Sequence, residues 1–191
     1  MSEHHELDQY AHLYQNYRWL VPTDFNIAHW CCARWADEPD RIAIYMDDEK
    51  NGDRIITYAE LQQTANQLSH WMIQNGVKRG TRIAIVMPQR PEVAIAHIAC
   101  HQVGAIAMPM SVLFGPDALE YRLNDSAASL VITDEIGLPN IAAIRTRCTA
   151  LESIIVVDGK AHNTFDWHRS LQDLPTTFTP VSTQSTDPDR K

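Results

Sequence analysis

Residues 80–110 are the stretch of this 191-residue sequence that most restricts its fold. Residues 81–87 form a short apolar run rich in β-branched residues, which predicts a strand buried on both faces. Pro91 is typical of the first turn of a helix, and Gly104 is typical of a helix end. A second apolar run, 105–108, predicts another strand. Two strands joined by a helix of this length form a right-handed parallel unit.

The same alternation of apolar runs and amphipathic segments continues along the chain. Strands are predicted at 129–133 and 153–157, and helices at 57–75, 117–125, 138–147 and 164–171. Two further strands, 41–46 and 54–57, flank a polar loop and predict a hairpin. We therefore expect an α/β fold with a mostly parallel sheet, flanked by helices, and an antiparallel hairpin near its start.

The length fits one domain with a full hydrophobic core. We expect an N-terminal helical extension over 1–20, within which 7–20 is an aromatic-rich helix. Residues 21–174 are expected to form the α/β subdomain, starting with a helix that Asp24 or Asn26 caps and that runs through Trp35. Residues 175–191 are rich in Thr, Ser, Pro and Asp without periodicity, which predicts a disordered tail.

Charge and composition exclude several classes of partner. The net charge is −8, and 16 Lys and Arg residues are scattered along the chain, so no nucleic-acid partner is expected. The four cysteines form no C-x-x-C pair and follow no secretory leader, which indicates the cytoplasm. The most apolar window, 93–114, predicts no membrane span because polar residues and a proline interrupt it, namely His97, His101, Gln102, Gly104 and Pro109.

Two groups of residues are candidates for ligand contacts. His97, Cys100 and His101 are spaced to share an ion on one helix, but the Glu of the zinc-protease arrangement is absent, so we predict no metal site. Arg90 follows a predicted parallel strand, at the edge where open α/β sheets bind ligands, and is a candidate for an anion contact. The alternative is an Arg that faces solvent at a helix start. No catalytic residue is predicted.

Residues 56–61 (Ile-Thr-Tyr-Ala-Glu-Leu) resemble the first core motif of the adenylate-forming superfamily, which includes the acyl-CoA synthetases. Residues 101–110 (His-Gln-Val-Gly-Ala-Ile-Ala-Met-Pro-Met) resemble its second motif, and 80–92 match the strand and turn between them. Residues 114–133 are similar to acetyl- and medium-chain acyl-CoA synthetases. The resemblance runs from about Tyr10 to Pro188. It implies that the complete enzyme uses ATP, Mg²⁺ and CoA to convert a carboxylate to an acyl-adenylate and then to an acyl-CoA.

The sequence also departs from this family. Relatives follow the position of Asp187 and Pro188 with a strand, a Gly-rich phosphate loop and a Lys, whereas this sequence ends at Lys191. It contains neither G-x-x-x-x-G-K-[ST] nor G-x-G-x-x-G. Relatives of the acetyl type place a basic loop near CoA after the strand at 130–133, but here 135–139 lack any Arg. By this resemblance, Arg90 is the candidate for an anion on the CoA side.

We therefore expect the N-terminal fragment of an acyl-CoA synthetase, truncated before the ATP-phosphate loop. Such a fragment would bind none of these cofactors and would be inactive alone. Its partner would be the missing C-terminal portion of the synthetase or a second copy of the chain. The alternatives are a standalone, non-catalytic interaction or dimerisation module and a residual enzyme that uses only CoA or a carboxylate.

Overall fold

The computed structural model describes residues 9–18, 21–47, 52–159 and 161–187. Helices and strands alternate through most of this length, as the sequence predicted. In chain order they are α1 (Gln9–Asn16), α2 (Ile27–Cys31), β1 (Ile42–Met46), β2 (Arg54–Thr57), α3 (Tyr58–Gln74), β3 (Arg82–Val86), α4 (Pro91–Val103), β4 (Ile106–Met110), α5 (Pro116–Ser126), β5 (Leu130–Asp134), α6 (Leu138–Ile144), β6 (Ser153–Val157), β7 (Phe165–Asp166) and α7 (Trp167–Leu171).

The central sheet has five strands in the order β4-β3-β5-β6-β7, and each neighbouring pair is parallel. Strand β3 lies between β4 and β5, with Ile83 opposite Ala107 on one side and Leu130 on the other. From β3 the chain moves outward to the edge strand β4 and then crosses back to β5. The strand order therefore reverses between β3 and β5, and such switch points are where open α/β sheets bind ligands.

The predicted hairpin is confirmed, and it forms a sheet of its own. Strands β1 and β2 are antiparallel, with Ile44 opposite Ile56 and Tyr45 opposite Ile55. The tip of the predicted loop, 48–51, lies outside the described residues.

Helices cover both faces of the central sheet. Ile83 and Ile85 of β3 belong to the core that also contains buried residues of α2, α3, α4 and α7. Ala84 and Val86 face the opposite core, which α5 and α6 complete. Because successive strand residues point to opposite faces and both faces are covered, the strands are continuous apolar runs without polar alternation.

Local signals at the helix ends are confirmed by the structure. The Thr57 hydroxyl accepts the Glu60 N–H at 3.2 Å, and a Glu60 carboxylate oxygen accepts the Thr57 N–H at 2.7 Å, which forms a capping box at the start of α3. Pro91 begins α4, and Gly104 ends it in the left-handed conformation with φ of 70°.

Two predicted helices differ in the structure. The helix expected through Trp35 stops at Cys31, because Cys32 takes a non-helical conformation (φ −134°, ψ −62°) before a single 3₁₀ turn at Ala33–Trp35. The helix expected over 164–171 begins at Trp167 instead. The two residues before it pair with β6, and the Asp166 side chain accepts the Arg169 N–H at 2.8 Å. Pairing to a neighbouring strand is a tertiary effect that local periodicity does not encode.

The expected disordered tail includes residues 175–187, which the structure describes. This segment runs along the body and makes hydrogen bonds to the side chains of Asn26, Asn66 and Arg79. Because these partners are remote in sequence, the composition of this segment gave no signal of these contacts. At the other end, α1 lies within the helix predicted over 7–20, and residues 7, 8, 19 and 20 are outside the described part. No described helix has the length and hydropathy needed to cross a membrane.

Candidate functional site

The carboxyl edge of the sheet brings together charged side chains from three strand ends. Arg90 follows β3, Asp134 is the last residue of β5, and Asp158 directly follows β6. Parallel strands place their carboxyl ends at one edge, so residues far apart in sequence meet at the switch point between β3 and β5. This edge is the candidate site that the position of Arg90 predicted.

Each guanidinium nitrogen of Arg90 contacts a different carboxylate. Nε donates to Glu92 Oε2 at 2.7 Å, Nη2 to Asp158 Oδ2 at 2.7 Å, and Nη1 to Asp134 Oδ2 at 3.4 Å. Only 18% of the Arg90 side chain is exposed, so it is not the solvent-facing Arg that the sequence left open as an alternative. Arg90 therefore links the ends of β3, β5 and β6 and the start of α4.

Asp134 is held by the backbone that follows it. Its side chain is buried, and Oδ1 accepts the N–H groups of Ile136 and Gly137 at 3.0 and 3.1 Å. The neighbouring Thr133 hydroxyl donates to the Val86 carbonyl at 2.8 Å and so ties β5 to the end of β3. These bonds fix the direction in which Asp134 presents Oδ2 to Arg90.

The cluster shifts the pKa of its members in opposite directions. The hydrogen bond from Arg90 lowers the pKa of Asp158 below 3.8, burial partly opposes this, and His168 Nε2, 3.3 Å from Asp158 Oδ1, adds to the lowering. Burial by itself would lower the pKa of Arg90, but its hydrogen bonds to Glu92 and Asp158 raise that pKa above its ordinary value. Both shifts favour the charged pair.

The charge balance of this cluster does not fit a phosphate. One guanidinium faces three carboxylates, so an additional anion would meet a net negative environment. The same guanidinium lies where a Mg²⁺ ion would have to approach these carboxylates. A contact between Arg90 and an anion thus stays a prediction, which these ion pairs disfavour. Within the described residues, the edge does not fit the triphosphate or metal that the family resemblance implied.

The side chains of His97, Cys100 and His101 do not converge on one position where an ion could bind. Cys100 is fully buried, and burial raises the pKa of its thiol to about 12, which opposes the thiolate that a metal needs. The rings of His97 and His101 are 6.5 Å apart, and His97 Nδ1 lies 2.8 Å from the Val93 carbonyl. Burial, with a smaller effect of His97, lowers the pKa of His101. No cluster of three or more metal-ligating side chains occurs among the described residues.

A groove of about 580 Å³ lies near the amino ends of β3 and β4, and sequence reasoning missed it. Four separate segments form it, so no local motif could have indicated it. Its lining residues are Phe25, Asn26, Ile27, Arg79, Gly80, His101, Gly104, Ala105, Ile106, Thr183, Gln184, Ser185 and Asp187.

Known proteins resemble this chain in both sequence and fold. It is 30% identical over 188 residues to an acetyl-coenzyme A synthetase of Penicillium chrysogenum, which covers 89% of this chain and 28% of that protein. It is 36% identical over 122 residues to an acetyl-coenzyme A synthetase of Streptomyces coelicolor, covering 63% of this chain and 19% of the relative. An acyl-CoA synthetase of Brucella canis superimposes with a TM-score of 0.78 at 22% identity, over 87% of this chain and 31% of that one.

These matches involve a limited part of each relative. The chain spans less than a third of the length of these proteins. The model of the AMP-binding enzyme family matches residues 32–190, which include the whole central sheet and the helices α3 to α7. The chain therefore belongs to the AMP-binding enzyme family.

Proposed function

We propose that this chain is the N-terminal α/β part of an ATP-dependent carboxylate–CoA ligase. The observation that supports this most directly is the 30% identity over 188 residues to an acetyl-coenzyme A synthetase of which the chain covers 28%. The complete ligase would join a carboxylate to ATP, releasing pyrophosphate and leaving an acyl-adenylate. The thiol of CoA would then take the acyl group and release AMP.

We further propose that these 191 residues do not catalyse adenylation by themselves. Among the described residues at the carboxyl edge of the sheet, Arg90 is paired with three carboxylates, so this cluster offers no net positive charge to the phosphates of ATP. Adenylation needs such charge to stabilise the transition state. In the complete ligase, ATP, Mg²⁺ and CoA would be held by the remaining two thirds of the protein, and that portion is the proposed partner. The four free cysteines support a reducing compartment, so we place the ligase in the cytoplasm.

The test is ATP–pyrophosphate exchange with the purified 191-residue chain, Mg²⁺ and a panel of short, medium and aromatic carboxylates. A complete acetyl-coenzyme A synthetase is the positive control. We expect no exchange above the protein-free background from the chain alone. We expect exchange when the chain is combined with a relative's polypeptide lacking its own homologous N-terminal portion.

The outcomes separate the two parts of the proposal. Exchange by the chain alone would refute its inactivity and would require an ATP site within 191 residues. No exchange with or without the complementing polypeptide would contradict the ligase role of this chain and favour a non-catalytic module.

One observation supports the second candidate, an interaction or dimerisation module. Tyr45 and Ile55 lie opposite each other on the hairpin and are 74% and 58% exposed. Such a cross-strand apolar pair is typical of a contact surface. Light scattering would detect association, and the double variant Tyr45→Lys, Ile55→Thr should abolish it if the hairpin is the contact. A monomer at all concentrations would exclude self-association through this surface.

A further inference from the structure

Residues 175–187, here named the strap, lie across the ends of several elements, and Phe178 packs against the edge of the core that contains α3 and α4. None of the strap residues is buried. Their attachments are mainly hydrogen bonds between strap backbone groups and residues of the body. This combination distinguishes the strap from the sheet and helices, whose apolar side chains fill two cores.

The first part of the strap follows α3. Asn66 Nδ2 donates to the Thr176 carbonyl at 2.7 Å, and His70 Nε2 lies 2.8 Å from the Thr177 carbonyl. The Phe178 ring packs edge-on against His70, with ring centres 5.1 Å apart. Three consecutive strap residues therefore contact one helix.

Asn26 connects the middle of the strap to two helices. Its Oδ1 accepts the Ala28 N–H at 3.0 Å, which caps α2. Its Nδ2 donates to the His101 carbonyl near the end of α4 at 3.0 Å and to the Val181 carbonyl at 3.2 Å. The Val181 N–H in turn donates to the Gln102 carbonyl at 2.8 Å. One side chain thus joins α2, α4 and the strap.

The last part of the strap pairs with the chain segment before α2. Asp24 and Gln184 form an antiparallel bridge, flanked by a bond from the Phe25 N–H to the Thr183 carbonyl at 2.9 Å. Arg79 donates to the Ser182 carbonyl at 3.0 Å. Thr183, Gln184, Ser185 and Asp187 form one wall of the groove at the amino edge of the sheet.

We propose that the strap is a latch that detaches as a unit while the sheet stays folded, and that its release opens this groove. The strap is held by exposed and half-buried hydrogen bonds and has no fully buried side chain. Segments held in this way open at lower free energy than global unfolding. The Arg79–Asp187 ion pair, at 50% and 35% exposure, adds little to hold it closed. The inference depends on the contacts of the strap alone, and it holds whether or not the chain is part of a ligase.

Hydrogen exchange of the complete chain, read residue by residue by NMR, tests this proposal. The reporters are the N–H groups of Phe25, which donates to the Thr183 carbonyl, and of Val181, which donates to the Gln102 carbonyl. Their exchange rates are compared with those of the backbone N–H groups in β3 and β5. Asn26→Ser keeps an oxygen that can cap α2 but removes both amide donors. One of these two bonds, to the Val181 carbonyl, holds the strap. Its loss, at about 1 kcal/mol, predicts strap exchange faster by about fivefold, with the sheet unchanged.

A glycine pair supplies a second variant with a matched control. A Cβ at Gly104 would lie 3.0 Å from Val181 Cγ2, whereas a Cβ at Gly76 meets no atom within 4 Å. Both glycines have positive φ, 70° and 84°, so Ala introduces comparable backbone strain at each. Gly104→Ala should speed strap exchange relative to sheet exchange, whereas Gly76→Ala should leave that ratio unchanged.

The wild-type chain gives the decisive comparison. We expect the strap reporters to exchange at least about tenfold faster than the sheet amides and to depend less on denaturant, because local opening exposes little surface. Equal protection of strap and sheet with equal denaturant dependence would overturn the latch. So would an unchanged ratio of strap to sheet exchange in both Asn26→Ser and Gly104→Ala.

Discussion

Gly137 and Gly115 occupy the same position, immediately before the first residue of a helix, but only one has room for a side chain. A Cβ at Gly137 would collide with Thr133 Oγ1 and lie 2.8 Å from the Val86 carbonyl oxygen. A Cβ at Gly115 would meet no atom within 4 Å. The difference arises because the chain turns back over the ends of β3 and β5 at Gly137, next to the Arg90 cluster.

We predict that Gly137→Ala lowers the free energy of unfolding by about 1–3 kcal/mol, the cost of forcing an atom into packed surroundings. Its φ of −78° suits Ala, so the loss reports the collision. Gly115→Ala is the control and should change stability by less than about 0.5 kcal/mol. Urea unfolding followed by circular dichroism measures both. Equal effects of the two substitutions would contradict the close approach at Gly137.

The Arg90 cluster predicts a stability that depends on acid pH. Because the folded pKa of Asp158 is depressed below 3.8, its contribution is complete above the unfolded pKa and is lost as pH falls through the folded value. Asp158→Asn should therefore be less stable than wild type at about pH 6, and the difference should shrink toward pH 2. Since the Asp158 side chain is 53% exposed, the difference should be about 0.5 kcal/mol at most.

Asp173→Asn, at an exposed carboxylate that contacts the Gln172 amide, is the matched control. Unfolding midpoints across the pH range measure both variants. A difference between wild type and Asp158→Asn that stays constant from about pH 6 to 2 would show that the pair with Arg90 does not shift the titration.

At the scale of secondary structure elements, α3 and α4 are joined by a buried polar network as well as by apolar packing. Gln102 is fully buried, and its Nε2 donates to Asn66 Oδ1 at 2.7 Å. The Ser69 hydroxyl donates to Gln102 Oε1 at 2.7 Å. Because each partner has a fixed direction, the network sets the rotation and offset of one helix against the other.

We predict that Gln102→Leu lowers stability by about 1 kcal/mol, because Asn66 and Ser69 each lose one buried hydrogen bond but keep another, to Gln62 and to the Ala65 carbonyl. Gln63→Leu, at an exposed position of α3, should change stability by less than about 0.5 kcal/mol. Thermal and urea unfolding measure both variants. A Gln102→Leu chain as stable as wild type would show that the network contributes no net stability.

At the scale of the whole molecule, the strap extends the folded unit beyond the boundary at 174 that composition predicted. It contacts the segment before α2, the helices α3 and α4, and Arg79 before β3. A chain that ends at 174 would therefore lose the contacts that the strap makes with four separate parts of the body.

We predict that deleting 175–191 lowers the unfolding free energy by about 1–3 kcal/mol, because several net hydrogen bonds are lost at about 1 kcal/mol each against the entropy of ordering the strap. Deleting only 188–191 gives the reference stability against which the loss of 175–187 is measured. If the strap is a latch, the loss equals the local opening free energy obtained from exchange of Val181. No loss on deletion would mean that the strap adds no stability to the body.

The sequence by itself determined the elements whose signals are local. The β-branched run of β3, the Thr57–Glu60 capping box and Gly104 after α4 each fix their own backbone over a few residues. Their alternation was enough to predict an α/β fold with a parallel sheet, and the ordered motifs were enough to predict the family. The position of Arg90 after the β3 run was enough to predict that it lies at the carboxyl edge of the sheet.

Only the tertiary structure decided what depends on contacts between distant segments. Three carboxylates from separate elements surround Arg90, and this changes a predicted anion contact into a set of ion pairs. Residues 175–187 are ordered by Asn26, Asn66 and Arg79, which no window around the strap contains. Strand order depends on the crossovers between strands, and the groove forms where four segments remote in sequence meet. A local pattern encodes backbone preference, whereas charge balance and docking depend on which remote side chains the fold brings within hydrogen-bond distance.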